Sequence, residues 1–238
     1  MLESRNYLSL EDFTRSRKLP DIKVFQLLES YSIPIAPYGF ARTPEEAVKV
    51  ADNLGYPVVV KIISLDITHK SDVGGVVLGL NSGSEVYHAV VDMARRIREK
   101  VLHARIEGFL IQKQMPPGVE VIIGALNDRT FGGIVMLGLG GVFTEVLRDV
   151  TFRVAPVSSS EALEMINELK ASRVFEGYRG LKPVNKQALA DVIVKVSKLI
   201  LENPWIESMD LNPVIAYPDS AVVVDARIIL KPAAQPSP

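Results

Sequence analysis

The sequence predicts a mixed α/β protein, α+β in its local order, made of two lobes. Short β-branched runs and amphipathic helical stretches are interleaved, but without the regular strand–helix–strand alternation of a doubly wound sheet. No internal repeat organises the chain. A rigid turn, Gln114-Met-Pro-Pro-Gly118, falls near the middle and marks a boundary between the two halves.

Composition narrows the class. With 238 residues, 47% of them apolar, the chain can bury one large core or two small ones. A formal net charge of −1 gives no global field for nucleic acid or an anionic membrane, so any phosphate site must be local. Cysteine is absent, which excludes disulfides, thiolate metal sites and cysteine nucleophiles. The N-terminus, MLESRNYLSLEDFTRSRK, has no apolar core of signal-peptide type, and apolar runs elsewhere are short. These features lead us to expect a soluble, cytoplasmic protein with no membrane or nucleic-acid partner.

The elements follow in order. Leu8 to Ser30 has helical spacing, with Pro20 dividing it or starting a second helix. Tyr31 to Pro37 runs extended, because residues before proline avoid the helical region. Thr43-Pro-Glu-Glu opens a helix that stops at Gly55: threonine caps, proline fits the first helical position, and the acids suit the positive end of the dipole. Pro57 to Ile63 reads as a buried strand, and Val76 to Leu80 as a second one after the polar segment Ser64 to Gly75. Ser84 to Ala104 is a long amphipathic helix carrying His88 and His103, read as surface or packing residues. Strands are expected at Glu107–Gln114, Glu120–Leu126 and Gly133–Leu139, helices at Ser158–Leu169 and Lys186–Glu202, and paired strands at Glu207–Ala216 and Ala221–Ile229. The tail KPAAQPSP reads as disordered.

Two nucleotide motifs are excluded. A P-loop needs Gly-Lys, and that dipeptide occurs nowhere. The cluster Gly138-Leu-Gly-Gly-Val-Phe has Phe143 where a dinucleotide loop needs its third glycine. Other constellations remain. Lys61, inside a β-branched run, is either a phosphate ligand or a salt-bridged strand residue. The loop SLDITHKSDVGGV offers His69, Lys70, Ser71, Gly74 and Gly75, a set able to fold over phosphates, and His69 is a nitrogen nucleophile or acid/base candidate. Gln112 to Met115, before Glu120, reads either as a bend able to meet an adenine edge or as a plain hairpin. Glu145, Arg148, Asp149 and Arg153 alternate with apolar residues, and salt-bridge pairing is the simpler account of Arg153. Near the C-terminus, Asp210 and Asn212 share one strand face, and a Pro218-Asp219 turn of even length sets Asn212 opposite Asp225. Such a set suits Mg²⁺, which takes few carboxylates and completes its shell with water and phosphate.

Five pieces occur in a fixed order: Gly-Tyr-Pro-Val-Val-Val-Lys (55–61), His-Lys-Ser-Asp-Val-Gly-Gly-Val (69–76), Gly-Val-Glu (118–120), Gly-Leu-Gly-Gly-Val-Phe-Thr-Glu (138–145) and Asp-Leu-Asn-Pro (210–213). Together they resemble the ATP-grasp subunit of NDP-forming acyl-CoA synthetases, relatives of succinyl-CoA synthetase, over roughly Pro20 to Leu230. The resemblance implies an ATP-grasp fold of two α/β lobes with ATP or ADP between them. We expect an N-terminal extension to residue 19, a first lobe at 20–113, a second lobe with the metal site at 114–230, and a tail at 231–238.

The resemblance also implies a reaction: acyl-CoA + ADP + phosphate to acid + CoA + ATP, through a phosphohistidine on a partner. The CoA-binding and phosphohistidine domains are expected on an alpha subunit, in an alpha2beta2 heterotetramer, with CoA held mainly by that partner. Carried over by position, Lys61 holds ADP or ATP phosphates. Gln112, Lys113 and Met115 form the adenine hinge, and Glu120 lies near the ribose. Asn212 and Asp225 ligate Mg²⁺, and Asp210 steers the incoming imidazole. His69, whose loop differs from the succinyl-type subunit, is expected to relay the phosphoryl group or to contact phosphate electrostatically. Two alternatives are a stand-alone ATP-grasp carboxylate ligase and a non-catalytic nucleotide-binding subunit.

Overall fold

The computed structural model describes residues 17–67, 70–140, 149–177 and 182–232. The chain divides into two units: an insert unit, Ala36–Pro116, and a frame unit formed by the chain before and after it.

The insert unit is a four-stranded antiparallel sheet with two helices. Its strands are β1 (Tyr38–Ala41), β2 (Val58–Ile63), β3 (Val76–Leu80) and β4 (Gly108–Lys113), in the order β1-β4-β2-β3. Helix α2 (Pro44–Leu54) starts as the sequence predicts: Thr43 Oγ1 accepts from the Glu46 N–H at 3.2 Å, Pro44 occupies the first turn, and Gly55 ends the helix at φ 73°. Helix α3 (Gly83–Lys100) is capped by Ser82. The two helices bury Ala47, Ala51, Val86, Val90, Met93 and Ile97 against Val58, Val60, Ile62 and Ile111 of the sheet. The strand period of two then turns Val59, Lys61, Ile63, Leu110 and Gln112 to the face that neither helix covers.

The frame unit carries a larger antiparallel sheet. It contains β5 (Val119–Asp128), β6 (Gly132–Leu139), β7 (Val150–Val154), β8 (Ile206–Ala216), β9 (Ala221–Val223) and β10 (Ala226–Leu230). The order is β10-β8-β5-β6-β7, with β9 also on β8. Helix α4 (Ser159–Glu168) opens with a capping box between Ser158 and Glu161. Helix α5 (Lys186–Glu202) buries Leu189, Ile193, Val196 and Ile200. The inward sheet residues are Val121, Ile123, Val135, Leu137, Met209, Leu211 and Ile228, all nearly inaccessible.

Several expectations need correction. Residues 20–35, expected with the first lobe, belong to the frame unit. The reason is packing: α1 (Asp21–Ser30) buries Val24, Phe25 and Leu28, the Leu19 N–H donates to the Ile228 carbonyl, and Ile35 bridges Val223. Residues 17–19, expected in an extension, likewise join the edge of β10, since Lys18 bridges Ile229. The long helix ends at Lys100 rather than Ala104, so His103 lies beyond it. Two short strands, β1 and β7, have no counterpart in the sequence reading. Expected strand 221–229 is two strands, with Val224 and Asp225 between them. The expected N-terminal helix at 8–16 and the tail from 233 lie outside the described residues.

The assignment of α1 is testable. Phe25→Ala should lower stability by about 3–5 kcal/mol, as for other buried aromatic truncations. Amide exchange should quicken in β10 while β2 and β4 keep their protection. Unchanged protection in β10 would contradict this packing.

Candidate functional site

Lys61 is 5% exposed and sits mid-strand, with Leu110 and Val76 as its neighbours across β4 and β3. Gln112, on the same face beside Val59, is 1% exposed. Its Nε2 donates weakly to the Ala36 carbonyl at 3.4 Å, while Oε1 has no partner among the described residues. A buried acceptor without a donor is costly, which marks Gln112 as a residue awaiting one.

The rest of the expected hinge is arranged differently from the sequence reading. The Lys113 ammonium donates to the carbonyls of Gly55 at 3.0 Å and Tyr56 at 2.7 Å, where α2 ends. A nucleotide role for the Lys113 side chain is therefore disfavoured: it satisfies carbonyls at a helix C-terminus, as cations there do. The backbone N–H groups of Lys113 and Gln114 donate to Pro37 and Pro57. Met115 is half-buried, and Glu120 is exposed on β5.

The glycine loop is fastened beside Lys61. The Gly75 N–H donates to the Lys70 carbonyl at 2.7 Å, Gly74 to Ser71 at 3.0 Å, and the Gly75 carbonyl accepts from Ile62 at 2.8 Å. Gly74 has φ +74°, and a Cβ at Gly75 would stand 2.6 Å from Ile62 Cγ2. Lys70 is half-buried and Ser71 exposed. Thr68 and His69 lie outside the described residues, as do Glu145 and Arg148.

On the frame unit, the polar residues gather on the sheet face turned away from Met209 and Leu211. The Asn212 N–H donates to the Asp225 carbonyl at 2.9 Å, between the pairs Leu211↔Ala226 and Val214↔Val223. The expected register of these two residues is thus present. The Asp225 carboxylate accepts from the Ala226 N–H at 3.0 Å through Oδ1. No cluster of three or more acids or histidines exists among the described residues, so an all-protein metal cage is absent there. An amide oxygen on β8 and a carboxylate just before β10 fit Mg²⁺, whose remaining positions go to water and phosphate.

Asp210 is exposed overall, but its carboxyl is crowded. That crowding, the largest cause, pushes its pKa up; the Arg227 guanidinium opposes this, Asp225 reinforces it, and an Asn212 hydrogen bond opposes it again. Arg227 stands directly across from Asp210, and sequence reasoning missed it. The available signal was its spacing: Arg227 follows Asp225 by two residues in a stretch that reads as one strand. Other polar residues have structural partners. Arg153 pairs with Glu168 at 2.5 Å, as the salt-bridge account requires, and buried Asp149 accepts from the Lys170 and Ala171 N–H groups, each at 2.9 Å. His88 packs edge-on to Tyr87 with ring centroids 5.8 Å apart.

Comparison with known proteins places the chain in a family. The ATP-grasp domain family matches residues 13–230. The beta subunit of acetate–CoA ligase (ADP-forming) I from Pyrococcus furiosus is 47% identical over 215 residues, covering 90% of this chain and 93% of that one. The dinucleotide-forming acetyl-coenzyme A synthetase 1 of Ca. Korarchaeum cryptofilum, in complex with coenzyme A and Ca-AMPCP, superposes with a TM-score of 0.89 at 46% identity, over 93% of this chain and 96% of that one. A second structure of that enzyme holds coenzyme A and Mg-AMPPCP, with a phosphohistidine segment pointing towards the nucleotide binding site. Its TM-score is 0.79 at 45% identity, over 90% and 93% of the two chains. Among the described residues, no helix is long and apolar enough to cross a membrane.

Two outcomes follow from the site's physics. A carboxyl whose pKa is raised on folding favours the fold only while protonated, and that stability is lost as pH climbs from its ordinary value near 3.8. Asp210→Asn should therefore raise Tm at pH 7, with the gain shrinking to nothing below about pH 4. A gain independent of pH would contradict burial of the carboxyl as its cause. Gly75→Ala should loosen the loop and lower stability by about 1–3 kcal/mol, seen in urea unfolding.

Proposed function

The chain belongs to the ATP-grasp family, in its group of ADP-forming acetate–CoA ligase beta subunits, and from that premise we propose that it is the nucleotide-binding subunit of such a ligase. The reaction is acyl-CoA + ADP + phosphate to carboxylic acid + CoA + ATP. The observation that supports this best is the match over nearly the full length of a beta subunit, combined with Asn212 and Asp225 meeting in the required register.

In this reading Lys61 neutralises ADP phosphates. Its side chain lies on the face of the insert sheet that α2 and α3 leave uncovered. Gln112 Oε1 accepts a hydrogen bond from a base amino group, and Met115 packs at the base; Glu120 contacts ribose. Lys70, Ser71, Gly74 and Gly75 cover the phosphates, the glycines through close backbone approach. Asn212 and Asp225 hold Mg²⁺, which when bound screens the charge between phosphate oxygens. Asp210 accepts the N–H of an incoming imidazole and fixes its orientation for in-line transfer. Little covalent help is needed, since phosphoryl transfer depends on alignment and charge neutralisation.

The partner is an alpha subunit bearing the CoA-binding and phosphohistidine domains, with CoA held mainly there, in an alpha2beta2 assembly working in the cytoplasm. The beta-subunit name of the Pyrococcus relative and the phosphohistidine segment of the Korarchaeum enzyme support a partner of this kind. His69 relays the phosphoryl group between the partner's histidine and ADP.

The test is reconstitution. Mixed with its alpha subunit, the chain should form ATP from acetyl-CoA, ADP and phosphate, and should form none alone. Lys61→Met should reduce kcat/KM by about 100-fold or more. With labelled ATP, acid-labile, base-stable phosphate should appear on this chain and vanish in His69→Ala. Label confined to the partner would reduce His69 to a binding residue, and turnover by the isolated chain would overturn the two-subunit reading.

A further inference from the structure

Two buried side-chain atoms lack a hydrogen-bond partner among the described residues: Gln112 Oε1, an acceptor, and Arg227 Nε, a donor. Gln112 already has a place in the nucleotide site proposed for the ligase. Arg227 has none, and its situation is odd for an arginine. It is half-buried on β10, directly across from Asp210. Yet no ion pair joins it to a described carboxylate, and its buried Nε finds no acceptor among the described residues. Asp210 feels it only as a charge at a distance. Structural arginines elsewhere in the chain behave otherwise: Arg153 reaches Glu168 and Glu164, and Arg105 reaches Asp66.

A guanidinium carries five donors in a planar fork that matches the oxygens of phosphate. Leaving them unmatched in a partly buried setting costs free energy unless an anion is the normal occupant. The surroundings say which anion. Arg227 stands across from Asp210, and strand alternation along β8 puts Asp210 on the same face as Asn212, whose N–H donates to the Asp225 carbonyl, so the cation is near the Asn212–Asp225 pair. Asp210 and Asp225 would repel a free anion from solvent, whereas a phosphoryl group delivered with metal and a proton donor fits among them.

We propose that Arg227 is a catalytic residue that binds the oxygens of the phosphoryl group in transit between phosphohistidine and ADP. The proposal rests on the ligase reading. In the transfer, the N–P bond of the phosphohistidine breaks, and a P–O bond forms to the terminal oxygen of ADP. The imidazole nitrogen keeps the bonding electrons and takes up one proton. Charge on the moving group spreads over its three peripheral oxygens, and a fixed guanidinium stabilises that distribution most when the group is between donor and acceptor.

The experiment uses the complete complex of this chain with its alpha subunit. The partner is phosphorylated with labelled phosphate, ADP is added, and ATP formation is followed in a single turnover. Arg227→Met should slow this step by about 100-fold, with Arg227→Lys retaining part of the rate. ADP affinity measured by calorimetry should change less than about threefold, because the group contacted is absent from ADP. Tm should stay level or rise, since an unmatched donor has been removed. Guanidinium ion added to Arg227→Ala should restore part of the rate. A transfer rate within threefold of wild type in Arg227→Met would overturn the proposal, as would a loss of rate that merely follows a loss of Tm in all three variants. If the wild-type complex itself transfers no phosphate to ADP, the ligase reading fails, and this assignment fails with it for that separate reason.

Discussion

A β-strand turns successive side chains to opposite faces, and in each unit helices cover only one of them. Everything else about the site depends on this constraint. In the insert unit, Val58, Val60 and Ile62 go to α2 and α3, so Lys61 and Val59 must go the other way. In the frame unit, Met209, Leu211 and Ile228 go to the core, so Asp210, Asn212 and Arg227 must face outward. The apolar pattern that stabilises each sheet thereby sets the position of every polar group opposite it. A one-residue slip would place lysine in one core and a carboxylate in the other, so register and chemistry are specified together.

Both units also show how partner choice separates structural from functional polar groups. Lys113 closes the end of α2, Asp149 holds two backbone N–H groups, and Arg153 is tied to α4. These groups are satisfied by the protein itself. Gln112 Oε1 and Arg227 are not, and they offer an acceptor and a set of donors.

Much of this was legible in the sequence because the signals were local. Thr43-Pro-Glu-Glu announced α2, Ser158 and Glu161 announced α4, and the even turn at Pro218-Asp219 placed Asn212 opposite Asp225. What stayed hidden depended on distant contacts. Nothing near Phe25 says that α1 packs with β10, over two hundred positions later in the chain, rather than with its sequence neighbours. Strand β1 is four residues, too short for periodicity to reveal. Strand β7, Val-Thr-Phe-Arg-Val, hid because its five residues were read for the pairing of Arg153 rather than for strand alternation. That the Lys113 side chain reaches the carbonyls at the end of α2 also depends on a contact more than fifty positions away. Arg227 was overlooked because a lone arginine on an outer strand is usually solvated.

The account stands on the outward face of β8 and β10 being the place where metal and phosphoryl group meet. The most direct measurement is anomalous scattering from crystals of the complex grown with Mn²⁺ and ADP, manganese replacing magnesium. The account predicts one manganese peak bonded to the Asn212 side-chain oxygen and an Asp225 carboxylate oxygen, with phosphate oxygens completing its shell. Manganese bound through other residues, with Asn212 and Asp225 left to solvent, would contradict it.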